Sequence, residues 1–194
     1  MAHRTISDDD LLNSAMRLFR THGAEGVSLS QLSEAIGLEK ASLYYRFPGG
    51  KEEIVMAVLD SAGQWLETQL FPALRQAGPA RKRAARAAEL LRTFYEDGKL
   101  SCIIDVLSLP GGSVRRHEAL KAALEAWMAA FAALARDSGM TAAAARHAAE
   151  EALVRIEGSL VLSRALGDPA PFQRMLKQLP DLLTYRNFPC RCGN

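Results

Sequence analysis

Lys40, Ser42, Tyr44, Tyr45 and Arg46, with Lys51 shortly after them, are the residues of this chain best suited to work on a phosphate backbone. Lysine ammonium and tyrosine hydroxyl groups donate to phosphate oxygens, and tyrosine rings pack on sugars and thymine methyls. If the segment from about Lys40 is helical, Leu43 and Phe47 lie four apart and point inward. Lys40, Ala41, Ser42, Tyr44, Tyr45 and Arg46 are then left outside. Lys40 stands at the helix start, where an inserted helix meets base edges. Lys51 opens the following helix, whose free N-terminal amides suit a phosphate. The same residues also fit a structural hairpin whose tyrosines pack on a neighbour. Two adjacent tyrosines facing outward from a short helix weigh toward DNA.

The elements that must hold these groups are legible in residues 28–51, SLSQLSEAIGLEKASLYYRFPGGK. Ser28 with Gln31 is a capping-box start. Leu29, Leu32 and Ile36 share one helical face. Gly37 stands where a helix stops in a left-handed conformation. Leu38 and Glu39 complete the turn, and Pro48-Gly49-Gly50 ends the second helix. Two short helices around a tight turn form a helix-turn-helix, which lays its second helix in the DNA major groove.

The rest of the chain is also helical in pattern, punctuated by eight prolines. A first helix at about 7–22 is capped by Ser7 and Asp10, carries the stripe Leu12, Ala15, Met16 and Phe19, and stops at Gly23. A long helix at about 51–70 starts with Lys51-Glu52-Glu53 and is expected to end at Pro72 and Pro79. Further helices are expected at about 80–97, 99–108, 113–137, 141–167 and 171–186, with Pro180 breaking or kinking the last. No β-alternating run and no internal repeat occurs. The expected fold is all-α with about nine helices. Residues 1–52 form a helix-turn-helix domain, 53–187 a second helical domain, and 188–194 a tail, with a rigid helix rather than a flexible linker at the boundary.

Composition narrows the function classes. The chain has 194 residues, 48% hydrophobic and 24% charged, with net charge +2, enough to bury a core. It opens MAHRTISDDD without the apolar core of a secretory signal, and no 18-residue uncharged apolar run follows. A cytoplasmic protein with no membrane partner is expected. Residues 1–51 hold six basic and six acidic residues, so DNA binding must rest on where charges sit. Arg4 precedes the first helix, on an arm able to reach DNA or simply to lie in solvent. Arg81, Lys82, Arg83 and Arg86 read as a solvated basic face. Three cysteines give no disulfide framework: Cys102 sits in an apolar segment, expected helical, and Cys190 and Cys192 form C-x-C in the tail. Histidines 3, 22, 117 and 147 are scattered, so no metal or other cofactor is expected. Serine-hydrolase, P-loop, zinc-protease and dinucleotide fingerprints are absent from the sequence, and no enzyme activity is expected. A helical binding module that takes a small molecule or a protein without DNA remains the alternative reading.

The text LLNSAMRLFRTHGAEGVSLSQLSEAIGLEKASLYYRFPGGKEEI, and within it GLEKASLYYRF followed by Lys51, resembles the DNA-binding domain of the TetR family of bacterial regulators. The FPGGKEE ending resembles its LmrA/YxaF-type branch. The resemblance implies a repressor that binds a palindromic double-stranded operator as a homodimer and is released by a small-molecule inducer. By family position, Ser28, Ser30, Gln31, Lys40, Ser42, Tyr44, Tyr45 and Lys51 match DNA-contacting sites, and Arg46 replaces the histidine often found at its position. It also implies a C-terminal ligand-binding and dimerisation domain. Trp65, Phe94, Tyr95, Cys102, Trp127, Met128 and Phe131 supply aromatic and sulfur groups for an apolar cavity, although each also fits plain core. Leu153, Ile156, Leu160, Ser163 and Gly167 form one seam of the penultimate helix, and Val154, Gly158, Val161 and Ala165 another. One seam suits the helix's own domain and the other a partner, so the last two helices are the expected dimer interface.

Overall fold

The computed structural model describes residues 6–108 and 112–184. In chain order its α-helices are α1 Asp8–His22, α2 Leu29–Ile36, α3 Lys40–Arg46, α4 Gly50–Trp65, α5 Phe71–Arg75, α6 Ala80–Phe94, α7 Ile103–Leu107, α8 Val114–Asp137, α9 Ala142–Leu166 and α10 Ala170–Leu182. A π-helical turn, Leu66–Leu70, joins α4 to α5 without a break, and a 3-10 turn covers Glu96–Gly98. Counting the continuous run Gly50–Arg75 once leaves nine helical bodies and no strand among the described residues, the expected all-α class. Arg4, Cys190, Cys192 and Pro110-Gly111 lie outside the described residues.

Two compact units emerge: Met1–Leu66 with Leu100–Leu124, and Glu67–Lys99 with Glu125–Asn194. The first is built on α1, whose N-cap Ser7 accepts from the Asp10 amide. Leu11, Ala15 and Phe19 of α1 are buried together with Leu32 and Ile36 of α2, Leu43 of α3, Ile54, Val55 and Val58 of α4, and Ile103 and Leu107 of α7. Burying a side chain such as Leu43 contributes about 1.5–3 kcal/mol. In the second unit α10 packs against both α9 and α6. Tyr95 meets Phe172 edge to face at 5.7 Å, while Leu153, Ile156, Leu160, Leu176 and Leu179 complete the core.

Three boundaries differ from the sequence reading. Pro72 does not end the long helix. The π turn Leu66–Leu70 comes first and Pro72 falls in the first turn of α5, where its missing N–H costs little. The helix expected at 99–108 shortens to Ile103–Leu107, and Cys102, buried, is its extended N-cap rather than an interior residue. Gly167 is not part of a packed seam: it is the exposed left-handed cap of α9 at φ 63°.

Candidate nucleic-acid interface

The helix-turn-helix forms as its residues dictate. The Ser28 hydroxyl accepts from the Gln31 amide at 3.2 Å, and the Gln31 side-chain oxygen accepts from the Ser28 amide at 2.8 Å. Two of the free amides at the α2 N-terminus are thereby satisfied. Gly37 at φ 75°, ψ 30° caps the other end, a conformation that disfavours side chains, and its amide donates to the Ser33 carbonyl at 3.0 Å. The Ser33 hydroxyl donates to the Leu38 carbonyl, closing the turn from the side. Leu43 anchors α3 inward, but Phe47 is only half-buried.

That anchoring turns the other face of α3 outward. Tyr44 is 51% exposed and Tyr45 87%. Lys40 is exposed at the helix start and Ser42 half-buried beside it, while Ser28, Ser30 and Gln31 are exposed at the start of α2. Two adjacent aromatic rings exposed on one short helix form a surface suited to contact with a partner. Arg46 is used internally: its guanidinium donates to the Ile6 carbonyl at 3.2 Å and to Asp8 at 3.0 Å, tying α3 to the start of α1.

Lys51 is tethered too. Its ammonium donates to the Ala24 carbonyl at 3.0 Å and lies 3.5 Å from Glu25 Oε2. The other oxygen of Glu25 accepts from Arg116 Nη1 at 3.1 Å. Arg116 is 3% exposed and also grips Glu52, through Nη2 to Oε2 and through Nε to Oε1 at 3.3 Å. Ser113 donates to Glu52 Oε1 at 2.7 Å and caps the first turn of α8 by accepting from the Arg116 amide at 3.1 Å. One guanidinium fork thus joins the α1–α2 loop, the first turn of α4 and the first turn of α8. The hydrogen bond from Arg116 is the main cause that holds the Glu25 carboxyl below its usual 4.5, and the separate hydrogen bonding of Arg116 to Glu52 lowers that carboxyl likewise. Next to this cluster a groove of about 450 Å³ runs past Phe47, Glu52, Glu53, Met56, Ser113 and Arg115. Sequence reasoning missed both, because Arg116 meets its partners across 91 and 64 residues of chain.

The aromatic and sulfur residues named for a ligand divide between the units. Trp65 and Cys102 belong to the first, and Phe94, Trp127, Met128 and Phe131 to the second. Trp127 and Phe131 are buried and meet edge to face at 6.0 Å. The Trp127 indole N–H has no hydrogen-bond partner among the described residues. Phe94 and Met128 are half-buried, as is Trp65. The basic run on α6 is partly committed: Arg81 pairs with Asp181, and Arg83 with Asp137 at 3.1 Å.

On α9 the two seams separate cleanly. Leu153, Ile156, Leu160 and Ser163 are buried. Val154, Gly158, Val161 and Ala165 are exposed. Leu162 at 53% and Leu166 at 68% extend that apolar stripe, and a Cβ on Gly158 would meet nothing within 4 Å. On α10 the exposed side chains are polar, among them Arg174, Lys177 and Gln178.

Known proteins resemble this chain in sequence and in fold. Residues 11–58 match the model of the tetR family of bacterial regulatory proteins, and residues 96–178 match the C-terminal domain of LmrA/YxaF-like transcriptional regulators. The HTH-type transcriptional regulator LmrA of Bacillus subtilis is 28% identical over 188 residues, covering 91% of this chain and 96% of that protein. YxaF, an uncharacterized HTH-type regulator of the same organism, is 24% identical and covers 94% and 98%. A TetR regulator from Legionella pneumophila superposes with TM-score 0.80 at 20% identity, over 93% of this chain and 98% of that one. One from Agrobacterium tumefaciens gives 0.79 at 19%, over 91% and 97%.

Proposed function

Because the chain belongs to the TetR family of bacterial transcriptional regulators, LmrA/YxaF-like branch, we propose that it binds a palindromic operator as a homodimer through α2 and α3 and leaves it when a small molecule binds. The carrying observation is the pair Tyr44 and Tyr45, exposed on a helix whose inward side is pinned by buried Leu43. Lys40, Ser42, Tyr44 and Tyr45 would meet base edges and sugars, and Ser28, Ser30, Gln31 and Lys51 the phosphates. Phosphate contacts fix the register of the protein on DNA, and base contacts specify the sequence.

The apolar stripe of α9 supports dimerisation. A two-fold pair of α9 helices, flanked by α10, would cover Val154, Val161, Leu162 and Leu166, with Gly158 allowing close approach. Symmetric pairing of identical patches gives a two-fold dimer, and a dimer reads both halves of a palindrome. Trp127 supports the ligand reading: a buried indole N–H with no acceptor among the described residues can donate to an apolar or aromatic ligand that carries one. Phe94, Met128 and Phe131 of the same unit are the other candidate contacts there, while Trp65 and Cys102 are candidates within the first unit. Among the described residues no helix is long and apolar enough to cross a membrane, and the proposed site of action is the cytoplasm, on DNA. The chain's family is one of regulators rather than enzymes.

Salt separates this reading from a helical module that binds only protein or ligand. Neutralising phosphates releases counterions, so DNA affinity falls steeply as salt rises. A gel-shift titration with the DNA upstream of the chain's own coding sequence should show that fall. Failure to bind duplex DNA at any salt concentration contradicts the reading.

A further inference from the structure

Glu25 is shared by two cations. Its Oε1 accepts from Arg116 at 3.1 Å, and its Oε2 faces Lys51 at 3.5 Å. Glu52, adjacent to Lys51 in sequence, is held by the same Arg116 and by Ser113. With Arg116 in place, two cations face two carboxylates and the cluster is neutral. Without it, Glu25 faces Lys51 with no competing donor from Arg116, and Glu52 keeps the Ser113 hydroxyl. An attraction between unlike charges strengthens as the competing charge is withdrawn, and more so where water is partly excluded.

We propose that Arg116 is a positioning residue for DNA binding: by occupying Glu25 it weakens that carboxylate's hold on the Lys51 ammonium, so that Lys51 can exchange its bond to the Ala24 carbonyl at 3.0 Å for one to a phosphate, and its withdrawal turns Glu25 into a trap for Lys51. This rests on the DNA-binding reading given above. The site is built for the purpose. Arg116 is buried, its helix is capped by Ser113, and Gly112 clears its path: a Cβ there would stand 2.7 Å from Arg116 Cδ. Arg116 also lies at the first turn of α8, an unbroken 24-residue helix that carries Trp127, Met128 and Phe131 further along. A shift of that helix along its axis would draw the guanidinium from its carboxylates, so the state of Lys51 would report the position of α8.

The test compares Arg116→Met, Arg116→Met/Glu25→Gln and Lys51→Ala with the wild type. Binding to a random-sequence duplex is titrated with salt, because phosphate contacts do not depend on sequence. Arg116→Met should bind roughly tenfold more weakly, and its salt slope should fall by about one phosphate per subunit, as in Lys51→Ala. Adding Glu25→Gln should restore both, although it restores no link to α8. In parallel, acylation of the Lys51 amine, followed by mass spectrometry without DNA, should slow in Arg116→Met and recover in the double variant. A purely structural Arg116 predicts no recovery in either measurement, and that result overturns the proposal, as does an Arg116→Met chain that behaves as wild type. If acylation follows the expected pattern while the wild type binds no duplex, the DNA-binding reading has failed, and the phosphate role of Lys51 with it.

Discussion

Arg116 Nη1 lies 3.1 Å from Glu25 Oε1, a contact that spans 91 residues of chain and joins the first turn of α8 to the loop that orients the helix-turn-helix. A buried guanidinium whose partner is removed leaves an uncompensated charge, so this link is a place where small changes have large effects.

Acid should loosen the first unit through this link. Arg116 keeps the carboxyl groups of Glu25 and Glu52 below their usual 4.5. Groups with a depressed folded value stabilise the fold above the unfolded value, and that contribution is lost as pH falls through the folded one. Stability should therefore change little from pH 7 to about 5 on account of these two groups, then decline below about 4.5. Thermal melts of wild type and Arg116→Met across this range check it: the variant should show the shallower decline. Equal slopes contradict the assignment.

Replacing Leu162 and Leu166 with Asp on α9 should break the homodimer. The wild type should scatter light as twice the 21.1 kDa chain, because its exposed apolar stripe finds an identical copy. The variant should scatter as one chain with its helical content intact. An unchanged mass for the variant places the interface elsewhere.

A lipophilic ligand carrying a hydrogen-bond acceptor should quench tryptophan fluorescence and raise the melting temperature. Trp127→Phe should weaken that ligand by about 0.5–1.5 kcal/mol, the net worth of a typical hydrogen bond. By reciprocity, ligand and DNA should weaken each other by the same factor. Ligand binding that leaves DNA affinity untouched contradicts the release mechanism.

Much of the reader was legible because its determinants are local. Ser28 and Gln31 lie three residues apart, and Gly37 stops its own helix, so spacing alone found the capping box and the turn. The two seams of α9 were likewise visible from period, since Leu153, Ile156 and Leu160 fall three and four apart. Phe47 shows the limit: its register with Leu43 is inward, but only packing decides that it ends half-buried at the rim of a groove. Long-range pairing left no mark at all. Nothing near Arg116 in sequence announces Glu25 or Glu52, and nothing in the 100–124 segment reveals that it groups with the N-terminal unit. Pro72 misled for a related reason. Proline forbids an interior helical N–H, and only the backbone shows that a π turn has already released it from that duty.

The most direct test of α3 as the reading helix is a gel shift with the duplex upstream of the chain's own coding sequence, using wild type, Lys40→Ala and Tyr45→Ala at matched salt. The wild type should bind as a dimer. Each variant should bind about 1–3 kcal/mol more weakly while melting at the wild-type temperature, because both side chains are exposed and support no core. Two variants that hold the duplex as tightly as the wild type, with the same salt slope, would contradict the account.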